Sequence, residues 1–179
     1  MKLIEKTISQ SPIYQGKIFN VRRDKAELNN GDIVTREVVE HPGGVCILAL
    51  EGDEVFLVRQ FRYAPGEVLY ELPAGKLEPG EDPLECAKRE LSEEVGASAE
   101  QFTYFGKIYP SPAYLGETIY CYVATGLSYH AQHLDDDEFL EPERVSLDRV
   151  VEMILSGEIP DAKTCAFTLK YKLQVEGQK

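Results

Sequence analysis

The sequence has no pair of cysteines spaced to hold a metal: Cys46, Cys86, Cys121 and Cys165 are scattered through 179 residues. Its three histidines make no zinc-site spacing either. No apolar run approaches the length of a membrane span, and the opening MKLIEKTISQ is too polar for a signal peptide. Basic residues are scarce, with 19 Lys and Arg against 31 Asp and Glu, a net charge of −12. That balance argues against a nucleic-acid surface, although an acidic protein can still engage phosphates through metal ions. These absences predict a cytoplasmic protein with no membrane or nucleic-acid partner and with reduced, mostly buried cysteines. What is present suits one globular domain with a real core, since 43% of the residues are hydrophobic.

One stretch organises the rest, Gly75 to Ala97, GKLEPGEDPLECAKRELSEEVGA. Its spacing predicts a helix. Asp82 is placed as N-cap, Pro83 at the first helical position loses no hydrogen bond, and Glu85 stands where it can return a bond to the cap. Gly96 is placed to end the helix in a left-handed conformation. Leu84, Ala87, Leu91 and Val95 recur every three or four residues and predict the buried stripe. Glu90 and Glu94 then share another side, with Glu93 beside them. Like charges so spaced repel, and near a helix C-terminus the dipole disfavours them as well. Local stability gives no reason for the arrangement. A hard divalent cation does, because Mg²⁺ binds carboxylate oxygens and joins them to substrate phosphates. A solvated acidic face is the other reading.

Around this stretch the chain alternates strands and helices. Residues 1–40 read as short strands: Lys17–Val21 alternates roughly, Ala26–Leu28 precedes a turn at Asn29–Asp32, and Val34–Val39 resumes an extended pattern. His41-Pro42-Gly43-Gly44 breaks this region from the remainder, 41–179. Val45–Leu50 is a nearly continuous apolar run, expected of a strand covered on both faces. Val55–Val58 returns from the turn at Glu51–Asp53. Glu71–Gly75 reads as a loop that sets the Ala74 carbonyl beside the acidic helix. Phe102–Ile108 and Thr118–Ala124 are further strands, separated by the rigid Pro110-Ser111-Pro112. Leu134–Glu141 contains four consecutive acids and reads as a mobile loop, with Phe139 and Leu140 anchoring its far end. Leu147, Val150, Val151, Ile154 and Leu155 predict a helix ended by Gly157, and Asp161 caps another over Ala162–Leu173. The expected class is α/β, a mixed sheet between helices.

The acidic stretch resembles the signature of the Nudix hydrolases: Gly, five residues, Glu, seven residues, Arg-Glu-aliphatic, any residue, Glu-Glu, any residue, Gly and an aliphatic. Gly75, Glu81, Arg89, Glu90, Leu91, Glu93, Glu94 and Gly96 match it. Ala97 fills the last position, where a larger aliphatic is usual. The resemblance implies a Nudix α/β/α sandwich with a mixed β-sheet and, here, an N-terminal strand extension. Beyond the signature, the chain is similar to the ADP-ribose pyrophosphatase branch. Members of this branch carry a proline about sixteen residues past the last signature glycine, the place of Pro112 after Gly96. Ser111–Glu117 resembles that branch's Ser-Pro-Gly segment with its following glutamate, with Ala113 in place of the glycine. Arg36-Glu37, Gln60-Phe61-Arg62 and Asp161-Ala162-Lys163-Thr164 also look like the branch.

The resemblance implies Mg²⁺-dependent hydrolysis of ADP-ribose to AMP and ribose 5-phosphate, with Mn²⁺ as a substitute metal. It assigns Glu90 and Glu94 as leading metal ligands. Glu93 is a ligand or water-positioning group, the Ala74 carbonyl a further ligand, and Glu81 an outer-sphere or bracing group. Arg89 orients these glutamates by ion pairing. A separate general base comes from a loop beyond the last core strands, Glu138 or alternatively Glu141. Arg36, Glu37 and Arg62 bind the adenine or pyrophosphate end, Glu117 the terminal ribose or the metals, and Pro112 shapes the substrate loop. Branch members are usually homodimers whose N-terminal strands reach the partner's site, which gives residues 1–40 a role in dimerisation. The rivals are a GDP-mannose or other nucleotide-sugar pyrophosphatase and a nonenzymatic nucleotide-sensing module.

Overall fold

The computed structural model describes residues 3–134 and 138–177. The chain forms two units: residues up to 43 together with 109–118, and residues 44–108 together with 119 onward.

The first unit is a three-stranded antiparallel sheet of β1 (Lys6–Gln15), β2 (Asn20–Glu27) and β3 (Ile33–Glu40), in that order. The Asn29–Asp32 turn and the Val34–Val39 strand are as the sequence indicates. Lys17–Val21 is not one strand. Gly16 N–H bonds the Phe19 carbonyl at 3.2 Å, so 16–19 is the turn that folds β1 back onto β2. Residues 109–118 join this unit through the β3 backbone: Val39 N–H donates to Tyr114 O at 2.8 Å and Gly116 N–H to Val39 O at 2.9 Å.

The second unit holds a seven-stranded mixed sheet. Its strands are β4 (Gly44–Glu51), β5 (Glu54–Arg62), β6 (Glu67–Glu71), β7 (Ala74–Lys76), β8 (Ala97–Ile108), β9 (Ile119–Tyr129) and β10 (Leu140–Ser146). The main path runs β10-β5-β4-β9-β8, with β6 paired to β5 and β7 to β4. β4 and β9 are parallel and the other pairs antiparallel.

The apolar run of β4 is buried because both faces are covered. Cys46, Leu48 and Leu50 point into one core with Val150, Met153, Ile159 and Phe167. Val45, Ile47 and Ala49 point into the other with Cys86, Ala87, Leu91 and Val95. The strand period of two distributes alternate residues between the layers. On the second face lies α1 (Pro83–Glu90), extended by a π-helical turn at Leu91–Val95. On the first lie α2 (Leu147–Ser156) and α3 (Ala162–Glu176). This is the expected α/β/α sandwich. All four cysteines are free thiols, three of them buried. Among the described residues no helix is long and apolar enough to cross a membrane.

Several local readings need correction. Glu71–Gly75 is not all loop, since it contains the end of β6 and the start of β7. Leu140 is buried and begins β10, but Phe139 is 82% exposed and anchors nothing in the core. In α2 the buried positions are Val150 and Met153, whereas Leu155 is 76% exposed. The acids Asp135, Asp136 and Asp137 of the predicted mobile loop lie outside the described residues.

Candidate active site

Three neighbouring segments build a carboxylate-rich surface on the second unit: the β6–β7 link, the turn before α1, and the helix itself. The helix begins as its caps dictate. Asp82 accepts from the amides of Leu84 and Glu85, with Pro83 at the first position. Glu85, expected to reach back to the cap, instead pairs with Lys88 Nζ at 2.7 Å. At the other end Gly96 has φ 68° and bonds back to the Leu91 and Ser92 carbonyls. A Cβ at Gly96 would stand 2.7 Å from the His130 carbonyl, so only glycine fits. Residues 130–133 close the helix end: His133 N–H donates to Glu93 O at 3.2 Å and Gln132 Nε2 to Glu94 O at 2.5 Å. Carbonyls orphaned at a helix terminus are satisfied this way.

The buried stripe includes Ala87, Leu91 and Val95, with Leu84 half-buried. Glu90 and Glu94 are not on a solvated face. They retain only 6% and 3% exposure. The π turn adds a residue to the helical repeat, a distortion frequent at functional sites. Gly75 packs against Glu90 so closely that a Cβ there would lie 1.8 Å from its carboxyl carbon. Ala74 meets the helix through its amide, which donates to Glu94 Oε2 at 2.9 Å.

Arg89 is the hub of the surface. It donates to Glu81 (2.9 and 3.0 Å), Glu90 (2.8 Å), Glu93 (2.9 Å) and the Lys76 carbonyl (3.2 Å). The hydrogen bonds to Glu81 lead these contacts in raising its pKa far above the usual value. In return Arg89 holds Glu81 down at about 2. Among the described residues no three His, Cys, Asp or Glu side chains are drawn in around one point. The Glu81, Glu90 and Glu93 carboxylates are instead spread about the guanidinium.

The two buried carboxyl groups resist ionisation. Burial pushes Glu90 up to about 7 against the pull of Arg89, with repulsion from Glu93 and Glu138 adding to the rise. Burial pushes Glu94 up to about 8 despite the Ala74 amide, with repulsion from Glu90 and Glu138. A donor set of buried carboxylate oxygens that resist ionising together suits a divalent cation, which supplies the missing positive charge.

A pH dependence follows. Both folded-state values exceed the ordinary carboxylate value, so the native state binds more protons than the unfolded one between about pH 4.5 and 8. The metal-free protein should therefore lose stability as pH rises through that window. Glu71 acts in the opposite sense. Burial works against its carboxylate, but the Arg62 hydrogen bonds and the Lys163 charge outweigh it and hold it at about 2. Its contribution is complete above pH 4.5 and is lost as pH falls toward 2. Melting in chelator should be highest near pH 5 and lower at pH 8.5, and saturating Mg²⁺ should remove the alkaline decline. A melting temperature that does not fall between pH 5 and 8.5 in chelator counts against charged, buried Glu90 and Glu94.

Glu138 acts on both buried glutamates through its charge. It also lines a cavity of about 500 Å³ with Arg59, Phe61, Val68 and Glu141. Glu141 sits on β10 opposite Arg59, is largely exposed, and pairs with that arginine at 3.2 Å. Arg62, at the end of β5, makes a bidentate pair with Glu71 through Nε (2.6 Å) and Nη2 (2.8 Å), leaving Nη1 outside it. The remaining sequence candidates lie in the first unit. Arg36 pairs with Glu5 (2.7 and 2.9 Å), Glu37 with Arg23 (3.5 Å) and Glu117 with His41 (3.4 Å), while Pro112 sits in the 109–118 segment. Glu71 was not singled out from sequence. Its signal was a glutamate in the residues just before Gly75, but nothing local distinguishes it from a surface acid.

Residues 40–165 match the family described as NUDIX domain, and residues 5–39 match the Nucleoside diphosphate sugar hydrolase N-terminal domain. An ADP-ribose pyrophosphatase of Bacillus subtilis (strain 168) is 39% identical over 172 residues, 94% of this chain and 92% of its own. A methanol dehydrogenase activator of Bacillus methanolicus is likewise 39% identical, over 95% of this chain and 94% of its own. A crystal structure of an ADP compounds hydrolase superposes with a TM-score of 0.83 over 100% of both chains at 23% identity, a likeness of fold.

Proposed function

Because the chain belongs to the Nudix hydrolase family, we propose that it is a diphosphatase that hydrolyses ADP-ribose to AMP and ribose 5-phosphate with Mg²⁺, Mn²⁺ substituting. The observation that carries this reading is the pair of buried, mutually repelling carboxylates Glu90 and Glu94 within a complete signature. They would hold the cation, with Glu93, Glu81 and the Ala74 carbonyl as inner- or outer-sphere oxygens. When bound, the cation neutralises the pyrophosphate and makes water more acidic.

The chain's own residues do the rest in this proposal. Arg89 holds Glu81, Glu90 and Glu93 apart and oriented, so their geometry precedes substrate. Arg62 presents its guanidinium edge to a pyrophosphate oxygen, steered by Glu71. Glu138 takes the proton of the attacking water. Oxygen bonds to phosphorus, the bridging P–O bond breaks, and the leaving phosphate ends as one of the two monophosphates. Glu138 is favoured over Glu141 because its charge reaches Glu90 and Glu94, whereas Glu141 is exposed and tied to Arg59. Glu138→Gln should lower kcat by roughly 10²-fold or more with little change in KM, and Glu141→Gln should stay near wild type. The reverse pattern would move the base to Glu141.

Arg36, Glu37, Pro112 and Glu117 belong to the same proposal as substrate contacts of the first unit. A homodimer is also part of it. All ten residues of β1 are exposed, Ile8 and Ile13 among them at 50% and 55%, and a second copy would cover that apolar surface. Light scattering reads this directly. The free thiols support a reducing, cytoplasmic setting.

The deciding experiment resolves products from ADP-ribose, GDP-mannose and other nucleotide sugars with Mg²⁺. AMP with ribose 5-phosphate from ADP-ribose supports the proposal. Faster turnover of GDP-mannose moves the substrate, and binding without turnover of any of them makes the protein a nucleotide sensor.

A further inference from the structure

The first turn of α3 lies about ninety residues beyond the segment that carries Ala74, yet it is tied into it. Lys163 is the second residue of that helix, near the positive end of its dipole, where a cation is unfavourable. It is also largely buried. Its position is explained by what it touches: Glu71, 1% exposed, and Asp161 Oδ2 at 3.1 Å.

Thr164 is more constrained still. It has no exposure, and its Oγ1 donates to Asp161 Oδ2 at 2.6 Å. Its one hydroxyl hydrogen is thereby committed, so the oxygen acts toward other groups only as an acceptor. It accepts the amide of Leu72, itself fully buried, at 2.9 Å. The next two residues are pinned in turn. The Pro73 carbonyl accepts from Ile47 N–H at 2.8 Å, and Ala74 N–H donates to Glu94 at 2.9 Å. Pro73 has no amide to lose and a fixed φ. Residues 71–74 are thus held at each position, and at one end Glu71 orients Arg62 while at the other Ala74 orients Glu94.

We propose that Lys163 and Thr164 are positioning residues of the site: they fix segment 71–74, and through it the carboxylate of Glu94 and the guanidinium of Arg62. The proposal rests on the reading of Glu94 as a metal ligand. Outer hydrogen-bond partners of ligands typically change metal affinity by about 10- to 100-fold when removed.

The test uses the full chain and Mn²⁺ alone, titrated by electron paramagnetic resonance, together with hydrogen exchange at the Leu72 and Ala74 amides. Thr164→Val keeps the shape and removes the acceptor. It should weaken Mn²⁺ binding about tenfold and speed exchange at both amides. Thr164→Ser should restore both. Phe167→Leu, one helical turn along in the core, should lower the melting temperature and leave both readouts unchanged. Lys163→Gln should raise KM for the diphosphate substrate more than it lowers kcat, through Arg62. Unchanged exchange at 72 and 74 in folded Thr164→Val overturns the proposal, as does an equal effect of Phe167→Leu. Wild-type protein that fails to bind Mn²⁺ overturns the Glu90–Glu94 reading instead, and the exchange measurement still decides whether Thr164 holds the segment.

Discussion

Glu94→Gln should abolish turnover and, in chelator, raise the melting temperature. The two effects share one cause. The wild-type carboxylate is buried and its pKa is pushed up to about 8, so keeping it ionised at pH 8.5 costs stability, on the order of 5 kcal/mol. Glutamine removes that charge and still offers an oxygen to the Ala74 amide. At pH 8.5 the metal-free variant should melt several degrees higher than wild type. Its kcat/KM should fall by roughly 10³-fold or more, because a neutral amide is a poor ligand for a hard cation and the pyrophosphate loses its counter-charge. Paired product assays and thermal melts check both. A variant that keeps activity within tenfold would reject Glu94 as a ligand. A variant less stable than wild type at pH 8.5 would reject the account of its charge. Stability gained where function is lost is the signature of a site that holds like charges together.

Arg89→Met should have the opposite effect on stability. The guanidinium is bonded to three carboxylates of which Glu90 is buried, and the variant leaves them facing one another. Removing one member of such a cluster costs about 3 kcal/mol or more, since the remaining charges stay desolvated. For a chain of this length that is a fall of about 10 °C. Activity should fall as well, because the glutamates lose their common brace. Two further readouts identify the cause. The loss should shrink at pH 5.5, where the freed carboxylates can take up protons, and saturating Mg²⁺ should recover part of it. A loss of stability independent of both pH and Mg²⁺ would mean that Arg89 contributes packing, not charge balance. Arg89→Lys should recover little, because one ammonium cannot reproduce the fork that bonds Glu81 through two nitrogens.

Much of the scaffold was written locally. Asp82, Pro83 and Gly96 set the ends of the acidic helix through cap and turn chemistry that involves only near neighbours. The Val45–Leu50 run could be read as a strand covered on both sides because its alternate residues are all apolar. Asp161 announced α3 in the same way. The failures were equally local. Lys17–Val21 has a passable strand pattern, but one backbone bond across Gly16 and Phe19 makes it a turn. Phe139 and Leu155 are apolar by type and exposed by position, and periodicity alone cannot tell which side of an element finds a partner.

The chemistry of the surface around Glu90 follows from local order along the chain: which carboxylates occur, their spacing along one helix, and the arginine among them. Spacing fixes neighbours within a helix because its geometry is regular. Long-range packing is what buries Glu90 and Glu94 instead of leaving them solvated, since burial depends on what the sheet, Gly75 and Ala74 bring against them. It also decided that Ala74 meets Glu94 through its amide. And it alone joined Glu71 to Arg62 and Lys163, a contact made across about ninety residues, because no local pattern records which distant charge will fill a space left in the core.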